Sequence, residues 1–93
     1  RRRIYAGHLR IRRDQGYVVS TMNVTTILAE LEQKLEPQGF FRVHRRYLVN
    51  LARVKEVEPM YGGTMELTLQ DEAHTRIPVS RRRAPALKRS LGL

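Results

Sequence analysis

Ninety-three residues without a cysteine make one small domain with no disulfide, no thiolate metal site and no cysteine nucleophile. Eighteen Lys and Arg against nine Asp and Glu leave a net charge of +9 and a pI near 11.1, a balance that suits nucleic acid first and an anionic membrane surface second. No apolar stretch approaches the roughly 20 residues of a membrane-crossing helix, and the arginine-led start lacks the apolar block of a signal peptide, so a cytoplasmic protein is expected.

Ile4, Leu9 and Ile11, then Tyr17, Val18 and Val19, flank Arg13-Asp14-Gln15-Gly16. The Asp and Gly supply turn chemistry, so a hairpin is predicted. Val24, Ile27, Leu28, Leu31 and Leu35 then recur at helical spacing and give one apolar face. Asn23, Thr25 or Thr26 offers a cap, Glu30 and Lys34 form a supporting pair four residues apart, and Pro37-Gln38-Gly39 stops the helix. Phe40 to Asn50 reads as a strand pair or one bent strand, which Val54 and Val57 continue in extended form. Tyr61-Gly62-Gly63-Thr64 is a turn. Met65, Leu67 and Leu69 alternate with polar residues, as do Thr75, Ile77 and Val79 after Asp71-Glu72, which predicts an antiparallel hairpin. Ser80 offers a cap for a short terminal helix with Ala84, Leu87 and Leu91 on its apolar face and Pro85 near its first turn. The predicted chain is mostly β, with one central helix and a short C-terminal helix.

Charge is distributed in blocks. Residues 1–13 hold six arginines and no acid, 40–55 hold five cations, and 76–93 hold six cations and no acid; the segments between them are net acidic. One such block is ordinary solvated surface, but three suggest segments that converge on one face. Fifteen of the cations are Arg, whose planar fork of donors matches phosphates and guanine edges. With two Phe and no Trp, base stacking is not the expected mode.

Catalytic constellations are few. His8, His44 and His74 lack the spacing of a metal set, and Gly62-Gly63 is not followed by the helix and Lys-Ser/Thr of a phosphate-cradling loop. Asp71-Glu72 sits where a hairpin needs a polar turn, and Ser20 and Ser80 have no adjacent base. No enzyme, cofactor or metal is expected.

The run Phe40-Phe41-Arg42-Val43-His44-Arg45-Arg46-Tyr47-Leu48-Val49-Asn50-Leu51 resembles the F-x-R-x-H-R-S-x-x-V-N signature of LytTR DNA-binding domains, with Arg46 in place of Ser. Ile77-Pro78-Val79-Ser80-Arg81-Arg82 is similar to that family's I-P-V-S-R ending. Leu28 to Leu35 resembles its helix, and Ala6-Gly7-His8-Leu9 its early strand and loop. The resemblance covers nearly all of residues 1–93 as a single domain, with the family's N-terminal strand pair missing or abbreviated. It implies an elongated stack of small antiparallel β-sheets that binds double-stranded DNA as the output of a bacterial transcriptional regulator. Loops and strand ends, rather than a recognition helix, would enter successive major grooves. An upstream sensor or receiver domain is implied as a partner, with no membrane. The isolated domain is expected to be a monomer, and full-length proteins of this kind dimers on direct repeats.

Carried over by position, His8, Arg45 and Arg81 are the expected base contacts; a bidentate arginine–guanine contact provides about 1–3 kcal/mol of discrimination. For His8 the alternative is a surface histidine beside a turn, and for Arg45 a phosphate contact alone. Arg10, Arg42, Arg46, Arg82 and Lys88 are the expected phosphate partners, which position the protein without reading sequence. His44 is expected to hold the fold by hydrogen bonding, and Tyr47 to be core edge or phosphate donor. Nonspecific binding of RNA or the ribosome is the competing function. A further alternative is a basic face that meets an acidic protein.

Overall fold

The structure is a computed structural model that describes residues 9–12, 15–20 and 25–93. Strands β1 (Leu9–Arg12) and β2 (Tyr17–Ser20) pair antiparallel, Leu9 opposite Ser20 and Arg12 opposite Tyr17, which is the predicted first hairpin. Helix α1 (Thr25–Leu35) follows. It gives way to a 3₁₀ turn over Glu36–Gln38 and ends at Gly39, whose left-handed backbone (φ 91°) lets its N–H donate to the Glu36 carbonyl. The Pro37-Gln38-Gly39 stop therefore acts as the residues suggest.

Phe40 to Asn50 is a strand pair, not one bent strand: β3 (Phe40–His44) and β4 (Tyr47–Asn50) meet at the Arg45-Arg46 turn. β4 also pairs with β2, giving a four-stranded antiparallel sheet in the order β1-β2-β4-β3. β5 (Val54–Pro59), β6 (Met65–Leu69) and β7 (Arg76–Val79) form a second, three-stranded antiparallel sheet in chain order. Helix α2 (Ala84–Leu91) closes the chain.

The four-stranded sheet is covered on both faces because successive side chains of a strand point to opposite sides. Phe40 and Leu48 join Val18, Leu28 and Leu35 in a core beneath α1. Val43 and Val49 face the other way and join Met65, Leu67, Leu69, Ile77, Val79, Ala84 and Leu87 in a core between the sheets and α2. Each fully buried Leu, Ile or Val contributes about 1.5–3 kcal/mol. Burial on both faces is also why Tyr47-Leu48-Val49 is a continuous apolar run rather than an alternating one.

Two details depart from the sequence reading. Thr68, assigned by alternation to the solvent face, is buried on β6; Glu56 and Arg76 lie directly opposite it on the flanking strands and share its face. Ser80 does not cap α2 itself. Its carbonyl accepts from the N–H groups of Arg83 and Ala84, and its hydroxyl from that of Arg83 at 3.3 Å, so it caps the Arg81–Arg83 turn that leads into α2. Pro85 then sits in the helix's first turn, where its missing N–H leaves no bond unmade.

Two backbone contacts decide what lies at the basic end of the molecule. The Ser80 N–H donates to the Val43 carbonyl at 3.0 Å and fastens the end of β7 to β3. The Ser20 N–H donates to the Arg46 carbonyl at 2.7 Å and fastens the end of β2 to the β3–β4 turn. The Arg45-Arg46 turn and the Arg81–Arg83 turn thereby come to one end, although more than thirty residues of chain separate them.

Candidate nucleic-acid interface

Arg45 is exposed at the tip of the β3–β4 turn, and Arg46 beside it is half-buried. Arg46 Nε donates to the Ser20 carbonyl at 3.1 Å, which leaves its terminal nitrogens for other partners while its stem is held. His44 Nδ1 accepts the Arg46 backbone N–H at 3.2 Å, so the neutral ring carries its proton on Nε2. The His44 ring also lies edge-on to Tyr47, centroids 5.6 Å apart. Burial, then the positive charges of Arg45, Arg46 and Arg42, hold its pKa below the usual histidine value of 6.5. His44 thus ties the turn to its strand, the hydrogen-bonding role expected of it. Tyr47 is half-buried against the core between the sheets.

Arg42, one of the expected phosphate partners, is turned inward and is 7% exposed. It shares a strand face with Phe40, and that face packs on α1. Its Nη2 donates to the Arg45 carbonyl at 2.7 Å, and its Nη1 lies 3.6 Å from Glu32 Oε1. Its Nε is buried with no hydrogen-bond partner among the described residues. The guanidinium stands behind the turn and shapes it, with the Glu32 carboxylate offsetting part of its charge.

A groove of about 420 Å³ lies between the two turns, lined by His44, Arg45, Arg46, Ser80, Arg82 and Arg83. Four guanidinium groups line it, and no acid does among the described residues. Such a cluster gains nothing for folding, since like charges within a Debye length of about 8–10 Å repel, and an anion in the groove would relieve that repulsion. Arg83 was not singled out from the sequence. The only signal for it was its place at the end of the Arg81-Arg82-Arg83 run.

Arg81 leaves the turn on the other side. With His44 and Ser80 shared, it borders an adjoining groove of about 430 Å³ that is otherwise lined by Met60, Thr64, Met65, Glu66, Pro78 and Val79, so this one holds an acid. Lys88 is exposed in the last turn of α2 and does not line either groove. Arg10 is in β1 opposite Val19, with its side chain outside the described residues; His8 lies outside them altogether. Among the described residues no cluster of His, Asp and Glu could hold a metal ion, and no helix is long and apolar enough to cross a membrane.

The model of the LytTr DNA-binding domain family matches residues 9–92. The chain is 38% identical over 93 residues to the sensory transduction protein LytT of Bacillus subtilis (strain 168), covering 95% of this chain and 36% of the relative. It is 37% identical over 81 residues to the transcriptional regulatory protein YpdB of Escherichia coli (strain K12), covering 87% and 31%. LytT of Oceanobacillus iheyensis is 47% identical over 60 residues, 64% of this chain and 24% of the relative. The chain therefore spans between about a quarter and a little over a third of these relatives. Among solved structures, a LytTr DNA-binding domain from Bacillus cereus matches with a TM-score of 0.64 at 27% identity, covering 91% of this chain and 79% of that one. By family model, relatives and fold the chain belongs to the LytTR family: a DNA-binding domain of transcription regulation, not an enzyme.

Proposed function

We propose that this chain is the output domain of a bacterial response regulator and binds a specific double-stranded DNA site from the cytoplasm. The observation that carries the reading is the groove between two arginine turns, without an acid among the described residues, with Arg45 exposed at one lip and Arg81 beyond the other. Arg45 and Arg81 are the base readers among the described residues, and loops and strand ends of the domain enter successive major grooves. Arg46, Arg82 and Arg83 hold the phosphate backbone between them. Arg42 serves the turn from behind. His8, outside the described residues, is a further base contact in this proposal, and Arg10 and Lys88 are further phosphate contacts.

An upstream sensor or receiver domain is supported by the relatives, which are named sensory transduction and transcriptional regulatory proteins and of which this chain spans 36% and 31%. The isolated domain is a monomer in this proposal, and the full-length protein pairs on direct repeats.

Selection of bound duplexes from a random pool tests the reading. Enrichment of one sequence motif is expected, and its relaxation at single, separate positions by Arg45→Ala and Arg81→Ala. Strong binding with no enrichment would replace it with sequence-independent backbone binding. A better competitor in RNA than in duplex DNA would move the function to RNA.

A further inference from the structure

The Arg81 side chain does not project freely from its turn. It lies along the β5–β6 turn, whose 3₁₀ segment is Tyr61–Gly63. Its Nη1 donates to the Gly62 carbonyl at 3.4 Å. A Cβ on Gly63 would lie 3.0 Å from Arg81 Cδ and 3.4 Å from Cγ, so the side chain's stem rests on the bare face of that glycine. Gly63 has φ of +84°, which a larger residue rarely adopts, and Gly62 has +80°. The turn is itself braced: the Thr64 hydroxyl donates to the Tyr61 carbonyl at 3.1 Å, and the Met60 N–H to the Thr64 carbonyl at 2.9 Å.

We propose that the Gly62-Gly63 turn positions Arg81 for base readout, acting through the arginine rather than touching DNA as a base reader itself. The inference rests on the reading of Arg81 as a base contact. Arginine carries a large rotamer entropy, and a bidentate contact needs the guanidinium plane at one angle. One N–H bonded to the Gly62 carbonyl and a stem seated on Gly63 restrict that plane before DNA arrives. The remaining donors are left for a guanine edge, and less ordering remains for binding to impose. Arg82, exposed on the same turn and with no such seat among the described residues, is the internal comparison.

The test combines base-preference profiles with side-chain dynamics in the 93-residue chain. Arg81→Ala first identifies the base pair that Arg81 reads. Gly63→Ala is then expected to lower discrimination at that base pair by about fivefold, a fraction of what a full bidentate contact supplies. The salt dependence of binding and the preferences elsewhere in the site stay as in the unsubstituted chain. Full discrimination in a folded Gly63→Ala chain overturns the inference and leaves base reading by Arg81 intact. Uniform loss with Arg81→Ala overturns base reading itself, and the inference with it. Because the positive φ at Gly63 puts folding of that variant at risk, nitrogen-15 relaxation of the arginine Nε–Hε groups in the unsubstituted, DNA-free chain is the second measurement. Arg81 is expected to be clearly more ordered than Arg82, and equal mobility overturns the seat.

Discussion

The guanidinium of Arg42 donates to the backbone carbonyl of Arg45 at 2.7 Å, so one arginine of the β3–β4 hairpin shapes the turn from which another reaches out. The two are three residues apart and chemically identical, yet one is buried and the other exposed. Strand alternation makes the difference: Arg42 shares the face of Phe40, which packs on α1, whereas Arg45 is past the end of β3.

Arg42→Ala removes the donor to the Arg45 carbonyl and the cation beside Glu32. Loss of a buried, hydrogen-bonded group of this kind is expected to cost about 2 kcal/mol in urea unfolding. The slope of log affinity against log salt, measured where the variant is folded, stays unchanged because no phosphate partner is lost. A slope smaller by about one would show Arg42 on the DNA backbone instead.

Arg82 and Arg83 face the groove, and each is expected to neutralise one phosphate. Arg82→Ala and Arg83→Ala should each reduce the magnitude of the salt slope by about 0.9 and weaken binding evenly across duplex sequences. Lys34→Ala, on α1 in the acidic stretch of the chain, is the control whose slope should not move.

Folding stability should depend on His44 below neutral pH. Its folded pKa is depressed, mainly by burial and next by Arg45, Arg46 and Arg42, so between the folded and unfolded values the unfolded chain binds more protons. The contribution is fully present above about pH 6.5 and is lost as pH falls through the lower folded value. Protonation also removes the Nδ1 acceptor from the Arg46 N–H. Thermal melts from pH 7.5 to 5 should show a declining midpoint that His44→Gln flattens. An identical decline in the variant would assign the loss to other groups.

Asp71 gives a second, more acidic dependence. The Thr75 hydroxyl donates to Asp71 Oδ2 and the Thr75 N–H to Oδ1 at 2.8 Å, and the hydroxyl bond most strongly holds the carboxyl below its usual range against the opposing effect of burial. A depressed carboxylate stabilises above its unfolded pKa of about 3.9 and loses that contribution as pH falls through the folded value. Asp71→Ala is expected to cost about 1 kcal/mol at neutral pH and to lessen the acid sensitivity. Equal stability of variant and unsubstituted chain at pH 7 would show that the turn closes without it.

Much of the fold was legible because periodicity and turn chemistry are local. The alternation Met65-Leu67-Leu69, the helical spacing of Leu28, Leu31 and Leu35, and the stop at Pro37-Gln38-Gly39 each depend on residues a few positions apart, and each appears in the structure. The turn arginines were legible as well, since three basic blocks stood out against acidic neighbours. Thr68 was not, because what covers it comes from two other strands.

The sequence by itself determined most of the elements, the DNA-binding family and, Arg83 apart, the arginines that line the groove. Where each arginine stands, buried, in the groove or beside it, was decided by tertiary structure. The face that Phe40 presents to α1 took Arg42 inside, the Ser80–Val43 bond brought Arg82 and Arg83 beside Arg45, and the Gly62-Gly63 turn gave Arg81 a seat nineteen residues away in sequence. A charge written in a sequence has a magnitude but no direction. Direction comes from which neighbours the side chain meets, and those neighbours are set by packing between elements distant along the chain.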